Sequence, residues 1–264
     1  MLPTCFQQQT VLVRPLMSEV FLRREGTTLK IELASPARSN ALSAGVVEEV
    51  LDALTGKQSA ELALVVFTGQ GKNFCSGFDL GDLESTTDAA LVERIVRVES
   101  LLQAVFHAPF VTLALAQGSV VGAGADLVAA CTLRVASPDA TFRMPGLKFG
   151  VALGTRRLMH RVGAEKAREL LLTTRRFDSK TAAEIGFVQR VADQFEWPAI
   201  VQEAIESSSA LPRESVTVLL SIIATDTRSL DMDALIRTAG RPGLRQRILS
   251  YRNEMQAATV KRAS

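Results

Sequence analysis

Histidine and cysteine are scarce in this chain of 264 residues, with two of the first and three of the second. His107 and His160 are not at metal-ligand spacing and no Cys-x-x-Cys occurs, so a structural metal site is not expected. Cys5, Cys75 and Cys131 are few and odd in number, which fits a reducing compartment and argues against a disulfide framework. Aromatic residues make up only 5% and no basic block is interleaved with them. With a formal charge of +2, that argues against a nucleic-acid partner. No apolar run is long enough to span a bilayer. Residues 1–17 read as a loose arm without the pattern of a secretory signal, and Met17 is an alternative start. Together these point to a cytoplasmic protein. The phosphate-cradling Gly-x-x-x-x-Gly-Lys-Ser/Thr, the dinucleotide Gly-x-Gly-x-x-Gly and the hydrolase Gly-x-Ser-x-Gly are all missing.

What the chain does have is a full core: 47% hydrophobic and 22% charged residues, the balance of a globular enzyme. Glu19 to Arg24 and Thr28 to Leu33 read as strands about a Glu25-Gly26 turn. Ser43 can cap a helix in which Val46, Val47, Val50, Leu51 and Leu54 recur at helical spacing, ended by Gly56. A strand from Leu62 to Thr68 follows. A long helix then carries its apolar stripe from Leu91 to Val105 and ends before Pro109. Phe110 to Ala116 is a strand, followed by a short helix through Ala130 and a strand from Thr132 to Ala136. This alternation is the pattern of a sheet built from βαβ units, hence an α/β fold. Helices are expected at Thr155 to Arg161, Glu165 to Thr173 and Lys180 to Ile185, with a strand at Val188 to Val191. Beyond Pro198 the chain reads as helical, with breaks at Pro212 and at Gly240 to Gly243. The expected organisation is an arm over 1–17, a core domain over 18–195 and a helical region over 196–264.

Two glycine-rich stretches organise the rest. Phe74-Cys75-Ser76-Gly77-Phe78-Asp79-Leu80 follows the Leu62 strand, and Gly118-Ser119-Val120-Val121-Gly122-Ala123-Gly124-Ala125-Asp126 follows the Phe110 strand. Small residues let a ligand approach the backbone, and the turn into a helix leaves N–H groups unpaired. Two such turns facing one pocket would aim two donors at a single oxygen, the arrangement of an oxyanion hole.

Several features stand in a fixed order along the chain. Asn40-Ala41-Leu42-Ser43 precedes a helix; Val65 to Gly69 runs into Phe74 to Leu80; Gln117-Gly118 leads to Gly122-Ala123-Gly124. Phe142-Arg143-Met144-Pro145 and Ala182 to Val188 complete the set. Together they resemble the enoyl-CoA hydratase/isomerase (crotonase) family over roughly Glu19 to Val191. The resemblance implies the crotonase-like spiral of repeated ββα units. It also implies a C-terminal helical region at subunit contacts, a homotrimer or dimer of trimers, and an acyl-CoA thioester substrate. No permanent cofactor is implied, coenzyme A being part of the substrate.

By the same resemblance the oxyanion donors would be the backbone N–H groups of Phe78 and Ala123. Coenzyme A would be bound along Arg38, Ala41, Ser76, Gly77, Phe78, Leu80, Gly122 and Ala123. Asp126 matches one of the two catalytic glutamates of the family's hydratases, and a carboxyl there can move a proton at the acyl α or β carbon. An acid in the first turn of a helix also complements the dipole, which is the plainer reading. The second glutamate would follow Pro145, where this chain has Gly146. The expected function is therefore hydratase- or isomerase-type processing of an acyl-CoA through a thioester enolate. A non-catalytic acyl-CoA binder and an acyl-CoA hydrolase or decarboxylase are the alternatives. Arg143 would bind an acyl carboxylate or face solvent, Cys75 would be a buried apolar residue, Asp79 would cap the next turn, and Glu184 would lie on a solvated helix face.

Overall fold

The computed structural model describes residues 18–263, with side chains to 257; the arm expected over residues 1–17 lies outside them. The first hairpin is β1 (Val20–Glu25) and β2 (Thr28–Leu33), paired antiparallel. Helix α1 (Ala44–Thr55) then leads to β3 (Leu64–Gly69), and α2 (Asp88–Phe106) to β4 (Val111–Ala116). A three-residue strand, β5 (Ser119–Val121), enters α3 (Ala123–Ala130), and β6 (Leu133–Ala136) is followed by β7 (Thr141–Arg143). Next come α4 (Thr155–Val162), α5 (Ala164–Thr173), β8 (Phe177–Asp178), α6 (Ser179–Glu184) and β9 (Arg190–Val191). Four helices close the chain: α7 (Trp197–Ser209), α8 (Arg213–Ile223), α9 (Arg228–Ala239) and α10 (Leu244–Ala263).

Six strands form the main sheet in the order β1-β2-β3-β4-β6-β9, and β5-β7-β8 form a small second sheet. From β2 onward the main sheet is parallel, so each next strand must return over a face and needs a helix to cross. The uninterrupted apolar run Leu64-Val65-Val66-Phe67 follows from this, because both faces of the strand are covered. Val65 and Phe67 belong to the core under α1, α2 and α3. Leu64 and Val66 pack with Leu113 and Leu115 against Ile200 and Ala204 of α7. Thus α7, grouped by sequence with the C-terminal helices, covers the second face of the sheet. A third cluster joins Leu91 and Ile95 of α2 to Leu235 of α9 and to Leu244 and Ile248 of α10.

The α1 expectation holds in detail. Val46, Val47, Val50, Leu51 and Leu54 are its buried residues, and the Ser43 hydroxyl accepts from Val46 N–H. Two features depart from the sequence reading. The small sheet was not foreseen, because strands of two or three residues carry no period. The C-terminal helices also break once more, between Ile223 and Arg228, where Asp226 accepts from the backbone and side chain of Arg228.

Candidate active site

The two glycine-rich turns lie side by side, and the backbone accounts for it. Cys75 bridges Val120, and Val121 N–H donates to Cys75 C=O at 3.0 Å. A Cβ on Gly124 would meet that same carbonyl at 2.5 Å, and one on Gly77 would come within 2.9 Å of Ala123 N. Only glycine permits this spacing, and Gly77 also has φ +88°. The loop leading into the first turn is held from both flanks. The Asn40 side chain donates to the Gln70 and Asn73 carbonyls at 3.0 and 2.8 Å. Gln117 Nε2 donates to the Gly69 and Gly71 carbonyls.

On its outer side the first turn pairs with Leu42. Leu42 N–H donates to Gly77 C=O at 2.8 Å, and Leu42 C=O accepts from Asp79 N–H at 3.4 Å. That pattern uses residues 77 and 79 and turns the N–H of Phe78 the other way, toward the second stretch. Ala123 opens α3, whose first internal bond runs from Asp126 N–H to Gly122 C=O. Among the described residues neither Phe78 N–H nor Ala123 N–H donates to any acceptor. Two orphan donors thus sit on adjoining turns, the second at the positive end of a helix.

A cavity of about 120 Å³ opens on both turns. Of the residues expected to contact substrate, Ser76, Phe78, Leu80, Gly122, Ala123 and Asp126 line it. Its remaining wall is largely apolar, with Ile95 and Val98 from α2, Met144 and Leu153 from the loops, and Ile248 and Tyr251 from α10. The contribution of α10 was not legible in the sequence.

Asp126 is the carboxylate on that wall. It is buried, and its Oδ1 meets no donor among the described residues. Burial drives its pKa up to about 8; the Arg157 guanidinium pulls it down and the Glu99 carboxylate pushes it up. At neutral pH the group therefore mainly holds a proton, unlike an exposed acid at a helix start.

The other expected residues fall elsewhere. Arg38 pairs with Asp79 at 2.8 Å and with Glu19, so its charge is matched by two carboxylates. Ala41 is buried off the cavity wall. Asp79 accepts from Gly81 N–H at 3.0 Å, the turn cap foreseen for it. Burial pushes the Cys75 thiol up to about 12, as suits an apolar core residue. Glu184 is exposed. Arg143 is half-buried and does not line the cavity, so the acyl-carboxylate contact foreseen as one of its two alternatives is not formed on that wall. Its Nε donates to Thr174 C=O at 2.9 Å and its Nη1 contacts Met255 Sδ at 3.1 Å.

Gly146 is more than the loss of an acid. A Cβ there would lie 2.8 Å from Val151 C=O, while Val151 N–H donates back to Gly146 C=O at 2.9 Å. The position is closed to a side chain unless the loop moves.

A parallel sheet with a small side sheet, two abutting glycine-rich turns and trailing helices define a crotonase-like α/β fold. The enoyl-CoA hydratase/isomerase sequence model matches residues 23–239, and the chain belongs to that family. A crystal structure from Bordetella parapertussis bearing an enoyl-CoA hydratase/isomerase name superimposes with a TM-score of 0.87 at 42% identity, covering 88% of this chain and 98% of that one. A Mycobacterium tuberculosis protein named probable enoyl-CoA hydratase echA6 is 36% identical over 177 residues, 65% of this chain and 71% of its own. An Arabidopsis thaliana peroxisomal protein named Delta(3,5)-Delta(2,4)-dienoyl-CoA isomerase is 32% identical over 172 residues, 59% of this chain and 62% of its own. Hydratase and isomerase names both occur among these relatives. Among the described residues no helix is long and apolar enough to cross a membrane, and no group of acidic, histidine or cysteine residues is placed to hold a metal.

Proposed function

We propose that this protein processes acyl-CoA thioesters by proton transfer, with Phe78 N–H and Ala123 N–H holding the thioester oxygen as it becomes an enolate. The observation that carries this reading is the pair of unspent backbone donors on adjoining turns, opening on an apolar cavity whose acid is Asp126. Removing a proton beside a thioester carbonyl puts negative charge on its oxygen, and donors aimed there lower the barrier without reorganising. Asp126 takes and returns the proton. A carboxyl with a pKa of about 8 is nearly matched to neutral pH in both directions. The apolar wall suits a hydrocarbon acyl group. Coenzyme A would run out past Ser76, Gly77 and Leu80, with Arg38 toward its phosphate end, and is a substrate part rather than a resident cofactor.

Hydration needs one group to activate water and another to deliver a proton. With position 146 closed, this reading gives the proton chemistry to Asp126 alone, and the missing acid counts both against the paired-carboxylate hydratase type and against the isomerase type that relies on that second position. The same closure motivates one further reading, a binder that holds acyl-CoA without turning it over. The hydrolase and decarboxylase alternative would use the same two donors, but its most suggestive residue, Arg143, donates to Thr174 C=O and contacts Met255 instead of lining the cavity. The assembly we propose is a homotrimer or pair of trimers.

The test is turnover on a panel of enoyl-CoA thioesters, wild type beside Asp126→Asn. The variant should lose at least about a hundredfold in kcat, in the range of a lost general acid–base. If Asp126 acts first as base, kcat/KM rises with pH and levels off above about 8; if first as acid, it falls there. Undiminished turnover in the variant removes Asp126 from the mechanism. Tight acyl-CoA binding with no turnover of any thioester establishes the binder.

A further inference from the structure

Because Asp126 Oδ1 has no donor among the described residues, hydrogen bonding does not hold that oxygen in place. Shape and charge must, and two neighbours of α3 supply them. The first is Gly154, the N-cap of α4, at φ +65°. A Cβ built there would overlap Asp126 Oδ1, lie 2.6 Å from its Cγ and 3.3 Å from its Cβ. The carboxyl therefore occupies space that exists because residue 154 has no side chain.

The second is an ion pair made by the helices beside α3. Arg157 of α4 donates through Nη1 and Nη2 to the two oxygens of Glu99 of α2, at 2.9 and 2.5 Å. Their side chains are 2% and 1% exposed. Gln103 donates to Glu99 at 2.8 Å, and Asp231 of α9 stands 3.9 Å from Arg157 while bound to Arg156 and Thr227. Among the described residues Arg157 Nε has no hydrogen-bond partner. Neither Glu99 nor Arg157 lines the cavity, but Arg157 lies about one turn along α4 from Gly154, the residue that abuts the Asp126 carboxyl; its charge favours the Asp126 carboxylate and that of Glu99 opposes it. Of the other elements packed here, α9 brings Asp231, and α10 brings Tyr251 to the cavity wall. A buried pair of this kind is a poor way to fill a core, since apolar residues of the same volume often do as well.

We propose that Gly154 and the Glu99–Arg157 pair are positioning residues for Asp126: the glycine makes room for its carboxyl on the cavity wall, and Glu99 quenches the cation behind it so that the carboxyl keeps its proton. This rests on the reading of Asp126 as the acid–base group. An unquenched guanidinium would stabilise the carboxylate and drain the proton at neutral pH. Bound to Glu99, it leaves burial in control. The arrangement sets when Asp126 titrates without placing any charged group against the substrate.

The experiment is an infrared titration of the Asp126 carboxyl, its band identified by loss in Asp126→Asn, together with kcat and KM. In Glu99→Gln the midpoint falls by about one pH unit or more, as for an acid given a free cation. The double variant Glu99→Gln/Arg157→Gln returns it to the wild-type value or slightly above. In Gly154→Ala, kcat falls at least about tenfold with KM held, because the carboxyl is displaced. A folded Glu99→Gln protein with an unshifted midpoint, or Gly154→Ala with wild-type kcat, overturns the proposal. If Glu99→Gln cannot be obtained folded, the double variant decides, and a midpoint more than about one unit below wild type overturns it. Should Asp126→Asn leave turnover intact, the catalytic reading fails while the titration still reports how the carboxyl is seated.

Discussion

Asp126 holds a proton that its unfolded chain would release, and this has a thermodynamic sign. Its pKa rises from 3.8 to about 8 on folding, so between those values the native state binds the extra proton and stability falls as pH rises. The same burial that would suit the group to the proposed proton transfer weakens the fold. Asp126→Asn keeps the shape and removes the titration. Its melting temperature should match wild type near pH 4, rise above it progressively toward pH 8, and keep a constant gap beyond; on this linkage the difference in stability is on the order of several kcal/mol. Thermal melts across that range check it, and a gap independent of pH refutes the assignment. Gly146 makes the complementary case. Gly146→Glu restores the missing carboxylate on paper, but its Cβ meets Val151 C=O at 2.8 Å. The variant should lose about 1–3 kcal/mol to overpacking and gain no hydration of enoyl thioesters, by denaturant melts and product analysis.

At the scale of elements, the site depends on how closely two strand ends approach. A side chain at Gly124 has backbone on the other side, Cys75 C=O at 2.5 Å, so Gly124→Ala must spread the turns. Loss of one aimed donor typically costs about 3–4 kcal/mol of barrier. The variant should therefore drop kcat by two to three orders of magnitude on that estimate, with acyl-CoA binding less affected. Stopped-flow turnover and calorimetry separate the two. Much of this level was legible beforehand. The α1 stripe, its Ser43 cap, the apolar runs of β3 and β4 and the order of the two turns all follow from local rules. What was not legible is non-local. Ser119–Val121 has only three residues and reads as part of a turn until β7 is beside it. Ile248 and Tyr251 become wall residues only when α10 crosses the cavity. Glu99 did leave a signal: it falls four residues after Ile95 and three before Leu102, on the buried stripe of α2. A charge there must have a partner, but spacing alone cannot point to Arg157 on another helix.

At the scale of the molecule, α8 is the element least satisfied by its own chain. Val216 is its one buried residue, while Ile222 is 76% exposed and Val218, Leu219 and Ile223 are also open. A contiguous apolar face of this kind is a candidate contact surface for the proposed trimer. Ile222→Glu should shift the protein toward monomer in light scattering after size exclusion, with helicity by circular dichroism unchanged. An unaltered mass would place the subunit contact elsewhere.

Helix α2 has a consequence for how the site comes apart. Its first residue, Asp88, accepts from the N–H groups of Gly243, just before α10, and of Leu244 and Arg245, which begin it. Nearly two turns on, Arg94 lies over the Phe78 ring and donates to Asp79 C=O at 3.0 Å. Ile95 and Val98 form the wall, and Glu99 grips Arg157. A single rod thus reaches the start of α10, the Phe78 turn, the cavity wall and Arg157. Because all four contacts are made from one helix, a tilt or fraying of α2 should disturb them together, which hydrogen exchange along α2 and around the cavity would read as a single opening.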